Sequence, residues 1–202
     1  MGSAGARLSR RSESQRQRGR PYFAAGPSLD PARAWDVPRR QSIVNYAQYQ
    51  HLAASDEAIE SNPNLRVTLG TDYLINPDMH VGLANTPTKT DRLWMHAALV
   101  CEWTIRSDRV EDIRHENSNM IRHGRGCLPH LVTVTAERLP ARLASIARGT
   151  GEVDATYQIC YDAMAYAIKE TGTSEQKDTW AEVTGQARLL DYADLAEALV
   201  VW

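Results

Sequence analysis

LVCEWTIRSDRVEDIRHE, residues 99–116, runs from an apolar strand through a short charged turn into an amphipathic helix. Alternation over Met95–Ile105 predicts a strand with Leu99, Cys101, Trp103 and Ile105 on its core face. Val100, Glu102, Thr104 and Arg106 fall on the other face, so Glu102 and Arg106 are expected to project to the same polar side. Ser107 has the chemistry of an N-cap, with Asp108, Glu111 and Asp112 in or near the first turn, where negative charge suits the helix dipole. Val110, Ile113, Asn117, Met120 and Ile121 mark the buried stripe of that helix, and Glu116 lies within it. An unpaired buried carboxylate is costly, so Glu116 needs a cation or an arginine such as Arg114 or Arg122. The residues alone favour the arginine. Strand-end acids beside an Arg-Asp-Arg turn point to metal-dependent chemistry on phosphate or nucleic acid.

Working outward, Gly124 and Gly126 end the helix and His130–Ala136 reads as the next buried strand. Strand, helix and strand in close succession form a β-α-β unit, which places the chain in the α/β or α+β class. Upstream, apolar residues from Ser42 to Ala53 recur at helical spacing, and Asn62-Pro63 supplies a stop. Thr71–Val81 reads as a short strand interrupted by Pro77, which implies an edge or a bulge and leaves Asp78 free to be aimed into a cleft. On the residues alone, Asn-Pro-Asp is more often a plain turn than a catalytic acid. Residues 84–92 form a polar loop. Downstream, Arg138–Arg142 is a loop or a helix start, and Gly149-Thr-Gly151 is a turn without the length or lysine of a phosphate loop. Val153–Cys160 is expected as strand, Tyr161–Glu170 as helix with Gly172 as its C′ residue, and Ser174–Gly185 as a further helix before a partly apolar C-terminal segment.

A chain of 202 residues holds one domain with a well-filled core. Residues 1–40, with six arginines between Arg7 and Arg20 against Glu13, are expected to form a disordered basic tail, leaving 41–202 as the folded domain. A net charge of −2 excludes a globally basic molecule. Of the 23 basic residues only Lys89, Lys169 and Lys177 are lysines, which coding bias and selection for phosphate and guanine contacts explain equally well. Three cysteines, Cys101, Cys127 and Cys160, without a C-x-x-C pair, fit a reduced cytoplasm. No run of about 18 apolar residues exists and the N-terminus lacks a signal-peptide core, so a soluble, cytoplasmic protein is expected. His115, His123, Cys127 and His130 lack the paired spacing of a zinc site.

Several separate motifs, in order, carry a resemblance. CEWTIRSDR (101–109), RHEN (114–117), LPHLVTVTAE (128–137), ARLASIARGTGEVD (141–154) and the upstream NYAQYQHLAASDEAIESNPNLRVTLGTDYLINPD (45–78) resemble the NgoMIV-type type II restriction endonucleases. The resemblance implies a PD-(D/E)xK nuclease fold, a central mixed sheet flanked by helices. It further implies Mg²⁺-dependent cleavage of double-stranded DNA at a palindromic CCGG-core, GCCGGC-like site by a homodimer or homotetramer. Asp78 then matches the metal-bridging aspartate, Cys101 the residue whose carbonyl helps hold the metal, and Glu116 the distal acid. Arg106, Asp108 and Arg109 match the turn that reads the central base pairs, and Arg142 an arginine that contacts the outer pair. Arginine can fork onto guanine O6 and N7, and aspartate can accept from cytosine N4.

Three departures accompany the likeness. Glu102 stands where the family has a catalytic lysine, reversing its charge, and is the residue expected to add a third carboxylate to the catalytic set. The connection between Asp78 and the 99–105 strand is shorter than the family's. Residues 1–34 do not match the N-terminal helix that supplies another active-site glutamate. The expected function is a type II restriction endonuclease, and the alternative is a DNA-binding remnant that kept the reading turn and lost cleavage.

Overall fold

The computed structural model describes residues 35–62, 64, 75–84, 91–149 and 151–201. The Arg-rich stretch before residue 35, most of the expected 84–92 loop and the start of the expected 71–81 strand lie outside them. The elements in chain order are β1 (Trp35–Asp36), α1 (Gln50–Ser61), β2 (Met79–Leu83), β3 (Trp94–Glu102), α2 (Ser107–His123), β4 (His130–Thr135), α3 (Pro140–Ala147), β5 (Ala155–Gln158), α4 (Tyr161–Thr171), α5 (Ser174–Gly185), β6 (Leu189–Asp191) and α6 (Leu195–Val201). Two 3-10 turns, Ile43–Asn45 and Ala47–Tyr49, lead into α1 where the sequence predicts continuous helix.

The six strands form one mixed sheet in sequential order. β1 and β2 run antiparallel to their neighbours, whereas β3 to β6 are parallel. The expected β-α-β unit is β3–α2–β4, with Ala97 opposite His130 and Glu102 opposite Thr135. Together with the helices flanking the sheet, this is the α/β architecture of a restriction-endonuclease-like fold.

Burial on both faces explains the near-continuous apolar run of β3, as expected for a central parallel strand. Ala97 and Leu99 pack with Val81, Val132, Val134, Leu195 and Leu199 on one side. Val100 packs on the other with Ile105, Val110, Ile113, Ile146 and Val153. The alternation predicted through Ile105 therefore stops early. β3 ends at Glu102, and Trp103, expected in the core, is 78% exposed. The chain leaves the pleat there, so period-two facing no longer applies to Trp103 or Arg106. Arg106, not Ser107, occupies the N-cap of α2, without a side-chain cap bond.

The sheet also reaches further toward the N-terminus than the boundary expected at residue 40. Trp35 and Asp36 pair with Leu83 and Gly82, and Arg39 forms an isolated bridge with Met79. Gln48 clips the following segment to β3, its Nε2 donating to the Met95 carbonyl at 2.6 Å and its Oε1 accepting from the Met95 N–H at 2.9 Å.

His80, fully buried, stacks on Tyr46 with ring centroids 5.3 Å apart. Its Nε2 lies 3.2 Å from the Pro77 carbonyl, which braces the bend that carries Asp78. Burial lowers the His80 pKa to about 4, opposed by the bond to Pro77. The unfolded chain then binds a proton that the folded chain refuses between about pH 6.5 and 4. Stability at pH 7 should fall by about 3 kcal/mol from this group as pH drops across that window. Urea denaturation of wild type and His80→Gln at a series of pH values checks it: the variant should lose most of that slope.

Candidate active site

The parallel strands of the unit end together, and the chemistry gathers beyond them. Asp78 precedes β2 in an irregular, half-buried position, and its Oδ2 accepts from the Cys101 N–H at 2.9 Å. That bond ties the aspartate to the far end of β3, beside Glu102. α2 starts at Ser107, four intervening residues beyond the end of β3, and docks through Val110, Ile113 and Met120, which leaves Glu116 half-buried beside Arg109. The Asp78 and Glu116 charges act on one another.

Arg109 sits among these acids. Its Nε donates to Glu102 Oε1, and its Nη1 lies 3.6 Å from Glu116 Oε1 and 3.9 Å from Asp112 Oδ2. The arginine that partners Glu116 is thus neither Arg114 nor Arg122; Arg114 donates instead to the Ser145 carbonyl at 2.7 Å. Burial pushes the Glu116 carboxyl above its ordinary range, with Asp112 and Asp78 adding to the rise, while Arg109 opposes it. Arg109 is itself held charged, chiefly by its bond to Glu102 against the effect of burial.

Arg106 and Asp108 lie outside this knot. Their side chains are 73% and 64% exposed and pair with one another at 2.9 Å. Glu102 and Arg106, expected on the same polar side, take different partners, Arg109 and Asp108, because the strand ends at Glu102. Arg142 is exposed in the first turn of α3.

Two contributors escape a reading of the sequence. Glu137 is only 3% exposed and lies just past β4, after Ala136. It accepts from the N–H groups of Ile105 at 2.8 Å, Arg138 at 2.8 Å and Leu139 at 2.9 Å, and lies 3.5 Å from Arg142 Nη1. One carboxylate therefore joins the entry to the Arg106–Arg109 turn with the start of α3. Burial alone would raise its pKa, but the three N–H donors and Arg142 hold it below the ordinary range. The signal in sequence was an acid between a strand and Pro140 at helix position N1, where an anion suits a helix start. The second is Arg39, in the stretch expected as tail. Its bridge to Met79 places it next to Asp78, and its charge acts on Cys101 together with those of Asp78 and Glu102. Arg40 beside it takes a left-handed φ of 47° while its N–H donates to the Asp78 carbonyl at 3.3 Å.

The donor set is all oxygen: the Asp78, Glu116 and Glu102 carboxylates and the main chain at Cys101. That chemistry fits a hard divalent cation such as Mg²⁺. Among the described residues no three His, Cys, Asp or Glu groups converge tightly enough to hold a metal, since Arg109 stands between two of the acids. Among the described residues, too, no helix is long and apolar enough to cross a membrane.

Comparison with known proteins bears on this arrangement. The family described as NgoMIV restriction enzyme matches residues 29–92 and 85–201. The match comes in two stretches that meet between β2 and β3. The Type II restriction enzyme NgoMIV of Neisseria gonorrhoeae is 35% identical over 201 residues, a match covering 83% of this chain and 68% of the relative.

Glu137→Gln should destabilise the fold by about 2–3 kcal/mol, because a buried amide cannot accept from all the donors that converge there. Equilibrium urea denaturation at pH 7 reads this, and an unchanged midpoint would show that the clamp contributes nothing.

Proposed function

The chain belongs to the NgoMIV restriction-enzyme family, and from that premise we propose that it hydrolyses phosphodiesters of double-stranded DNA at a palindromic CCGG-core, GCCGGC-like site. The observation that supports the reading is that Asp78 is tied to the end of β3 by the Cys101 N–H while Glu102 and Glu116 are both held on Arg109, within the Arg106–Arg109 turn. Acids that attract a cation and exposed arginines that suit DNA lie on one rim.

In this reading Asp78, Glu116 and the Cys101 carbonyl hold Mg²⁺, which supplies polarisation of the scissile phosphate and a more acidic bound water. Asp78 is oriented by the Cys101 N–H. Arg106 and Asp108, already paired and exposed, present donors and an acceptor to base edges in the major groove. Arg142 leans on Glu137 and contacts the outer pair. The protein works in the cytoplasm as a homodimer or homotetramer, whose two-fold axis matches a palindromic site.

Glu102 bears on rate. In place of a lysine it offers a carboxylate, and its charge is answered by Arg109 rather than left bare. A cation aimed at developing negative charge is typically worth about 10²–10³-fold in rate, by analogy with oxyanion donors. This favours slow cleavage, and it is also the observation behind the second reading, a DNA-binding remnant.

A plasmid carrying GCCGGC, incubated with Mg²⁺ or Mn²⁺, separates the two. Wild type should cut, Asp78→Ala should not, and Glu102→Lys should cut about 10²-fold faster or better. Inert wild type beside an active Glu102→Lys establishes the remnant. Inertness of both overturns the proposed chemistry.

A further inference from the structure

Arg109 is wanted in two places at once. The reading of the 106–109 turn requires its guanidinium to fork onto a base edge, which uses two N–H donors in one plane. In the free protein its Nε is taken by Glu102 and its Nη1 faces Glu116 and Asp112. Arg109 is 29% exposed where Arg106 is 73% exposed, although both belong to the same turn. The difference is its partner. Arg106 pairs with Asp108 inside the turn, whereas Arg109 is drawn back to the end of β3. A lysine at position 102 would repel Arg109; glutamate captures it.

We propose that Glu102 is a positioning residue that holds the base-reading guanidinium of Arg109 among the acids of the cleavage site until a CCGG duplex draws it away. This rests on the reading of the chain as a CCGG-binding member of its family. Two consequences follow from the geometry. Binding of the cognate duplex has to break the Glu102 contact, so affinity for the specific sequence is reduced by whatever that contact contributes. Non-specific binding, carried by phosphate contacts, does not need Arg109 to move. Departure of Arg109 also frees Glu102 and Glu116 together, so the cleavage site regains its full negative charge only when the right sequence is engaged.

The experiment is fluorescence anisotropy with a GCCGGC duplex and a scrambled duplex, in EDTA, using wild type, Glu102→Gln and Glu111→Gln. Glu111 is exposed in the first turns of α2, close to Arg109 in sequence, and serves as a control for removing one negative charge. Glu102→Gln should bind the GCCGGC duplex about tenfold tighter than wild type, the size of one charge-assisted hydrogen bond, while scrambled duplex changes no more than it does with Glu111→Gln. A Glu102→Gln that strengthens both duplexes alike overturns the proposal, because bulk charge then accounts for the gain. So does one that weakens GCCGGC binding, which would make Glu102 a support for the bound arginine. Equal affinity of wild type and both variants for the two duplexes overturns the DNA-reading function, and the proposal with it.

A second measurement needs no variant. The Arg109 Nε–Hε resonance of wild type should shift on adding GCCGGC duplex and stay with scrambled duplex; a resonance that ignores the cognate duplex contradicts the proposal even if Glu102→Gln fails to fold.

Discussion

The parallel pairing of β3 with β4 is the constraint from which the site follows. Its register sets Glu102 opposite Thr135, so the two strands run out at the same level and the chain departs from both at one edge. Burial of Val100, Ile105, Val110 and Ile113 in one cluster fixes how α2 returns across that edge. With those positions filled, Glu116 can only lie on the rim. Asp78 reaches the same rim because β2 lies beside β3 and the Cys101 N–H holds its carboxylate. In open α/β sheets ligands gather outside the carboxyl ends of the strands, and the charges of this chain are disposed there.

Two carboxylates with opposite circumstances organise that rim. Glu137 is buried, saturated with N–H donors and held ionised, so it acts as a rigid joint between the 105–109 turn and α3. Glu102 is partly exposed and satisfied by a side chain that has other possible partners. The first contact is made of backbone and can yield only by local unfolding. The second is a side-chain pair that can be exchanged when a stronger partner arrives. Glu102 therefore contributes more than a charge, because it also holds Arg109.

Much of this was legible in the sequence where a period is sustained. β3, α2, β4, α4 and α5 lie close to their expected positions because each buries a face over enough residues to leave a pattern. Short elements leave none. β1 is two residues, and an arginine-rich neighbourhood hides it; its partner is supplied by β2, which lies far along the chain at Gly82 and Leu83. β6 is three residues in the apolar LLDYADLAEALVVW run, which was read without a strand. Trp103 misled because its side chain suits a core while the strand had already ended. At the site, Asp78 bonds to the Cys101 N–H, and Glu102 and Glu116 share Arg109. Those pairings were not legible, since nothing local says that Arg109 turns back seven residues to Glu102 or that Glu137 reaches the N–H of Ile105.

A crystal structure of wild-type protein with a GCCGGC duplex tests the central claim most directly. The account predicts Arg109 on a base edge, clear of Glu102, with Glu102 and Glu116 facing open space or a cation. Arg109 still bonded to Glu102 while the cognate duplex fills the groove would contradict it.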